Sequence, residues 1–124
     1  MSNNKVVLIT GATSGMGELT ASYLASNGYI VYAGTRNKDN LKSDNENINY
    51  IYLDVTKTQT IKEAVNLVIK KEGKIDVLVN NAGYGLLATI EEGTDEDIFN
   101  QFDVNVFGLI KTTREVLPYM REAK

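Results

Sequence analysis

The residues with the greatest chemical potential lie near the amino end. In Leu8–Thr20, LITGATSGMGELT, the glycines Gly11, Gly15 and Gly17 stand between an apolar run and a helix-compatible one. Glycine weakens both strand and helix, so its concentration at their junction implies that something comes very close to the main chain. The start of a helix leaves backbone N–H groups free, and the helix dipole favours negative charge there, so the junction suits a phosphate. The candidate contacts are Gly11, Thr13, Ser14, Gly15, Met16 and Gly17. The spacing G-x-x-x-G-x-G differs from the dinucleotide fingerprint G-x-G-x-x-G. It is not a P-loop either, because Glu18 follows Gly17 where that motif requires lysine. A tight strand-to-helix turn that binds nothing is the alternative.

The end of the second apolar run bears on which phosphate ligand is held. Sites for NAD carry an acid about 20 residues beyond the glycines, on the ribose 2′-hydroxyl. Here the run ends in AGTRNK, with Thr35 and Arg36 at that place and no acid between Glu18 and Asp39. Arginine suits a 2′-phosphate through a charge-assisted contact, which favours NADP(H) over NAD(H). A solvated surface arginine is the alternative. The missing acid also counts against an S-adenosylmethionine enzyme.

Composition removes several other chemistries. The 124 residues contain neither Cys nor His, so there is no disulfide framework, thiolate metal site, cysteine nucleophile or Ser–His dyad. No metal site is expected, because the carboxylates form no ligand-like cluster. A formal charge of −3 with scattered Lys and Arg gives no nucleic-acid footprint. No apolar run approaches the roughly 20 residues of a bilayer span, and the amino end does not read as a signal peptide, so a cytoplasmic protein is expected. The length fits one domain.

Elements that would position these residues follow from periodicity. Apolar runs at Lys5–Thr10, Tyr29–Gly34, Ile48–Val55 and Ile75–Asn80 read as strands, the first of them covered on both faces. Met16–Asn27 reads as a helix stopped by Gly28. Arg36–Asn47 reads as a surface loop or short helix. A possible Thr56–Gln59 capping box opens a second helix carrying Ile61, Ala64, Val65 and Val68, ended by Gly73. Thr94 caps a long final helix with the stripe Ile98, Phe102, Val106, Leu109, Thr113 and Val116, and Pro118 falls near its end. This alternation predicts an α/β fold, a Rossmann-type doubly wound parallel sheet of order 3-2-1-4.

Taken with LDVT (Leu53–Thr56) and NNAG (Asn80–Gly83), the Thr10-Gly11-x-x-x-Gly15-x-Gly17 loop resembles the short-chain dehydrogenase/reductase family over nearly the whole chain. The resemblance implies that Thr10 belongs to the cofactor loop and that Asp54 and Val55 border the adenine. It implies that Asn80, Ala82 and Gly83 line the cofactor cleft and steady the sheet. A carboxylate capping the next helix, and a turn whose asparagines bond backbone, are the structural alternatives. The resemblance also makes Asn105 the asparagine of the Asn–Ser–Tyr–Lys tetrad, supporting a proton-relay water. A buried helix-kinking amide is the alternative. The family tyrosine stands four residues ahead of its lysine, and no tyrosine of this chain does so.

The expectation is therefore the cofactor half of an NADP(H)-dependent oxidoreductase acting on a small-molecule alcohol/carbonyl pair, truncated before its catalytic part and without turnover alone. An open edge at Ile75–Asn80 predicts a homo-oligomer. The rivals are a non-catalytic nucleotide sensor and a ligand-free structural fragment. No nucleic acid or membrane partner is expected.

Overall fold

Short runs of β-branched and aromatic residues become four strands: β1 (Val6–Ile9), β2 (Ile30–Thr35), β3 (Ile48–Tyr52) and β4 (Val77–Val79). In the computed structural model, which describes residues 4–39, 41 and 45–123, they pair in parallel in the order β3-β2-β1-β4. This is the order expected from the sequence. The helices are α1 (Gly15–Ser26), α2 (Thr58–Glu72), α3 (Asp95–Phe102) and α4 (Gly108–Ala123), with a π-helical turn at Asp103–Phe107 joining the last two.

Period-two alternation splits the core between two sheet faces. Val6, Leu8 and Tyr32 face one way and pack with Ile61, Val65 and Val68 of α2 and Val116 of α4. Val7, Ile9, Val31 and Ala33 face the other way and pack on Ala21 and Ala25 of α1. Burial of each large aliphatic side chain is worth roughly 1.5–3 kcal/mol. The Lys62–Glu115 pair joining α2 to α4 at 2.9 Å is half-exposed on the lysine side and contributes no more than about 1 kcal/mol. The sheet is therefore held by apolar burial on both faces, and charge decorates it.

Two local expectations need correction. α2 begins at Thr58 with Lys57 as N-cap and no side-chain cap. Thr56 does not form a capping box with Gln59, because its hydroxyl donates to Asp54 Oδ1 at 2.6 Å. The last helix is not one period. Its extra π residue shifts the register, and the buried residues lie four apart at Gly108, Thr112 and Val116. Of the stripe read from the sequence only Val116 is buried; Ile98, Phe102, Val106 and Leu109 are exposed. Thr94 does cap α3, in a reciprocal capping box with Asp97. Gly28 and Gly73 stop α1 and α2 at positive φ. The described part of Arg36–Asn47 is bends and turns, and positions 40 and 42–44 of that expectation lie outside the described residues.

Asp76, just before β4, accepts from Val6 N–H at 2.7 Å and pairs with Lys74 at 3.1 Å. Burial pushes its carboxyl up, but the Val6 N–H together with Lys74 and Lys5 outweighs this and holds it below the ordinary carboxylate value. A depressed folded value stabilises the fold above the unfolded pKa, and that stabilisation is lost as pH falls through the folded one. Asp76→Asn should therefore lower stability to urea by a constant amount from pH 5 to 8. The gap to the parent should narrow once pH drops below about 4, where the unfolded carboxyl titrates. A gap independent of pH would assign the effect to shape alone.

Candidate functional site

The carboxyl ends of β1, β2 and β3 and the segment after β4 surround one cleft of about 480 Å³. Its base is set by a single hydroxyl. Thr10, buried at the end of β1, accepts from Asn81 N–H and Ala82 N–H, each at 3.0 Å. Asn81 Nδ2 in turn donates to Gly11 O at 2.9 Å. These bonds fasten the glycine turn to the segment following β4, across the sheet's centre.

Glycine is required where these segments touch. Gly11 has φ +61°, and a Cβ there would lie 2.9 Å from Ala82 Cα. A Cβ on Gly17 would lie 2.5 Å from Gly11 O and would also strike the Asn81 amide. Gly17 is thus buried as a packing residue beneath the loop and does not line the cleft. Gly11, Thr13, Ser14, Gly15 and Met16 do line it. Ser14 is the N-cap of α1 in extended conformation, and its side chain makes no capping bond. The opening turn of α1 therefore has no side-chain cap, and the cleft walls meet there.

The opposite wall comes from Leu53, Asp54 and Val55 after β3, from Thr35 at the end of β2, and from Arg36 and Asn37 beyond it. Asp54 Oδ1 accepts from both Thr56 N–H at 2.9 Å and the Thr56 hydroxyl. The carboxylate therefore shapes the turn into α2 while bordering the cleft. Arg36 is exposed at the rim.

The NNAG segment divides by residue. Asn81, Ala82 and Gly83 line the cleft. Asn80 points elsewhere, donating from Nδ2 to Thr113 Oγ1 on α4 at 3.0 Å, so it braces the sheet against that helix. Asn105 lies in the π-helical turn and grips the Tyr84 backbone from both sides. Its Oδ1 accepts from Tyr84 N–H at 2.9 Å, and its Nδ2 donates to Tyr84 O at 2.6 Å. A Cβ on Gly83 would come within 3.1 Å of Asn105 Oδ1, so that amide abuts the cleft wall without lining it. Sequence reasoning did not single out Asn81 within NNAG, and it gave no site role to Asn37 and Val104, which also line the cleft. The doublet Asn80-Asn81 gave no sign of which amide turns inward, because both lie beyond β4 where the chain turns and Asn81 N–H donates to Val79 O.

The arrangement has features a dinucleotide could use: a loop packed too tightly at Gly11 and Gly17 for a Cβ, an uncapped helix start and a cation at the rim. A family model described as short chain dehydrogenase matches residues 5–124. The chain is 40% identical over 123 residues to 3-ketodihydrosphingosine reductase of Bacteroides thetaiotaomicron, covering 97% of this chain and 44% of that protein. The solved structure of ElxO with NADP bound superposes with a TM-score of 0.90 at 32% identity, over 97% of this chain and 52% of that one. The 3-ketoacyl-(acyl-carrier-protein) reductase of Brucella melitensis complexed with NADH gives 0.88 at 34% identity, over 95% and 51%. The chain thus spans about half the length of the proteins it matches.

Thr10→Val keeps the shape of the side chain but removes the acceptor. Asn81 N–H retains Val79 O at 3.1 Å, whereas Ala82 N–H loses its partner. The expected cost is about 1–3 kcal/mol, read from urea or thermal unfolding, with Thr10→Ser close to the parent. Equal stability of all three chains would show that the hydroxyl is not the clasp.

Proposed function

The chain belongs to the short-chain dehydrogenase family, and on that premise we propose that it is the NADP(H)-binding part of an oxidoreductase acting on an alcohol/carbonyl pair. The observation that carries this reading is the placement of Arg36 at the rim of a glycine-walled cleft, where an NAD site would carry an acid.

When bound, the nicotinamide would supply the hydride chemistry. The protein's part is recognition. The opening turn of α1 and the Gly11–Met16 loop receive the pyrophosphate, with the helix dipole favouring the charge. Asp54 and Val55 border the adenine. Arg36 takes the 2′-phosphate through a charge-assisted contact. Ala82 and Gly83 form the floor, held at the right height by Thr10. Asn105 fixes the Tyr84 backbone and so positions the wall leading away from the adenine end.

Within the 124 residues no tyrosine precedes a lysine by four positions. Tyr119 is committed elsewhere, its hydroxyl 3.4 Å from Asn66 Oδ1 between α4 and α2. We therefore assign cofactor binding without turnover to this chain. A binding module working without chemistry shares that prediction and differs only in never supporting hydride transfer in any longer chain.

We also propose self-association. β4 pairs with β1 on one side only among the described residues, and α3 and α4 expose Ile98, Phe99, Phe102, Leu109 and Ile110. An unpaired parallel strand beside an apolar helix face favours pairing with another chain. Light scattering should give a mass above 13.7 kDa that rises with concentration. A constant monomer mass would rule it out.

The deciding experiment is calorimetric titration with NADPH and NADH in parallel. Saturable binding that prefers NADPH is expected. Arg36→Ala should weaken NADPH roughly 10- to 100-fold, the scale of a charged hydrogen bond, while leaving NADH almost unchanged. A folded chain that binds neither nucleotide would support the ligand-free alternative.

A further inference from the structure

We propose that Met16 is a reversible oxidation site: a hydroperoxide converts its thioether to the sulfoxide, and the sulfoxide lowers the affinity of the glycine-walled cleft for a dinucleotide. The effect on binding rests on the dinucleotide reading above; the oxidation itself does not.

Gly17, Ala21 and Ala25 are the buried residues of α1, and their four-residue spacing turns one face of the helix to the sheet. Met16, Leu19 and Tyr23 fall on the opposite face and are exposed. Gly17 fixes this orientation, because its close packing under Gly11 O leaves no room to roll the helix inward. Met16 is therefore held outward, 79% exposed, while still lining the cleft beside Gly15. The other methionine among the described residues, Met120, is partly buried against the core. An oxidant in solution reaches the first thioether far more readily than the second.

Sulfur supplies the electron pair for the step. It attacks one peroxide oxygen, the O–O bond breaks as the S–O bond forms, and the other oxygen leaves with a proton as water or an alcohol. Sulfur is oxidised and the peroxide reduced by the same electron pair. Sulfoxide reductases reverse the change with thiols as reductant, releasing water. The product carries a strong oxygen acceptor where an apolar thioether stood. Helical side chains lean toward the N-terminus of their helix, so this oxygen stands over the opening turn of α1, which has no side-chain cap. There it competes with a phosphate for the same N–H groups and turns a negative end toward the phosphate oxygens. The pyrophosphate is common to both nucleotides, so NADPH and NADH lose affinity alike.

The test treats the parent chain, Met16→Leu and Met120→Leu with dilute hydrogen peroxide, follows each methionine by peptide mass, and titrates the products with NADPH and NADH. Met16 should oxidise well before Met120, and saturating NADP+ should slow its oxidation. On treatment the parent and Met120→Leu should lose affinity about fivefold for both nucleotides, the scale of one hydrogen bond, and recover it with a methionine sulfoxide reductase. Met16→Leu should keep its own untreated affinity, whatever that is. Oxidation of Met16 no faster than that of Met120, unchanged binding once Met16 is converted, or an equal loss in Met16→Leu overturns the inference. A folded parent that binds neither nucleotide before peroxide is added overturns the dinucleotide reading, and the effect on binding falls with it. That failure shows in the untreated sample and is distinct from the other three.

Discussion

The Thr10 hydroxyl is the interaction on which the rest of the site depends. Beyond the last hydrogen bonds of the ladder nothing in the sheet ties neighbouring parallel strands together, and the segments that follow would otherwise diverge. One buried oxygen that accepts from two consecutive amides holds the turn after β1 against the turn after β4. The Asn81 amide returns the bond to Gly11 O. With that clasp closed, Gly11 and Gly17 can have no side chains, and the cleft acquires a floor made of backbone. Apolar burial on both faces sets where the sheet lies, and the clasp sets what lies above its edge.

Much of this was legible in the sequence, for a physical reason. Val6–Ile9 is an uninterrupted apolar run bounded by Gly11, and only a strand covered on both faces needs that composition. The run thus announces both its own structure and the existence of two helical layers. The glycine turn was legible because close approach leaves glycine no substitute. The rim position of Arg36 was legible from its place at the end of the second apolar run.

What the sequence concealed depends on choices between near-equal local partners. Thr56 stands where it could cap α2, yet the Asp54 carboxylate, two residues away, captures it first. Asn80 and Asn81 are chemically identical, and only the turn that follows β4 decides that one braces α4 while the other enters the site. The final helix misled for a different reason. A fixed period of 3.6 residues carried across Asp103–Phe107 selects Leu109 and Thr113 where Gly108 and Thr112 reach the core, and α3 itself buries no residue.

The extra residue of the π turn uncouples the two halves of the helix. α3 is oriented by its capping box and α4 by small residues at four-residue spacing, with Gly108 so close to β3's extension that a Cβ would lie 2.6 Å from Val55 Cγ2. Each half can therefore be tuned by mutation without turning the other. Loss of one residue from the turn would rotate α4 by about 100° relative to α3, since each helical residue advances by that angle. The chain at this place should thus tolerate exchanges of side chain far better than changes of length, and a single-residue deletion would act as a frame error in three dimensions.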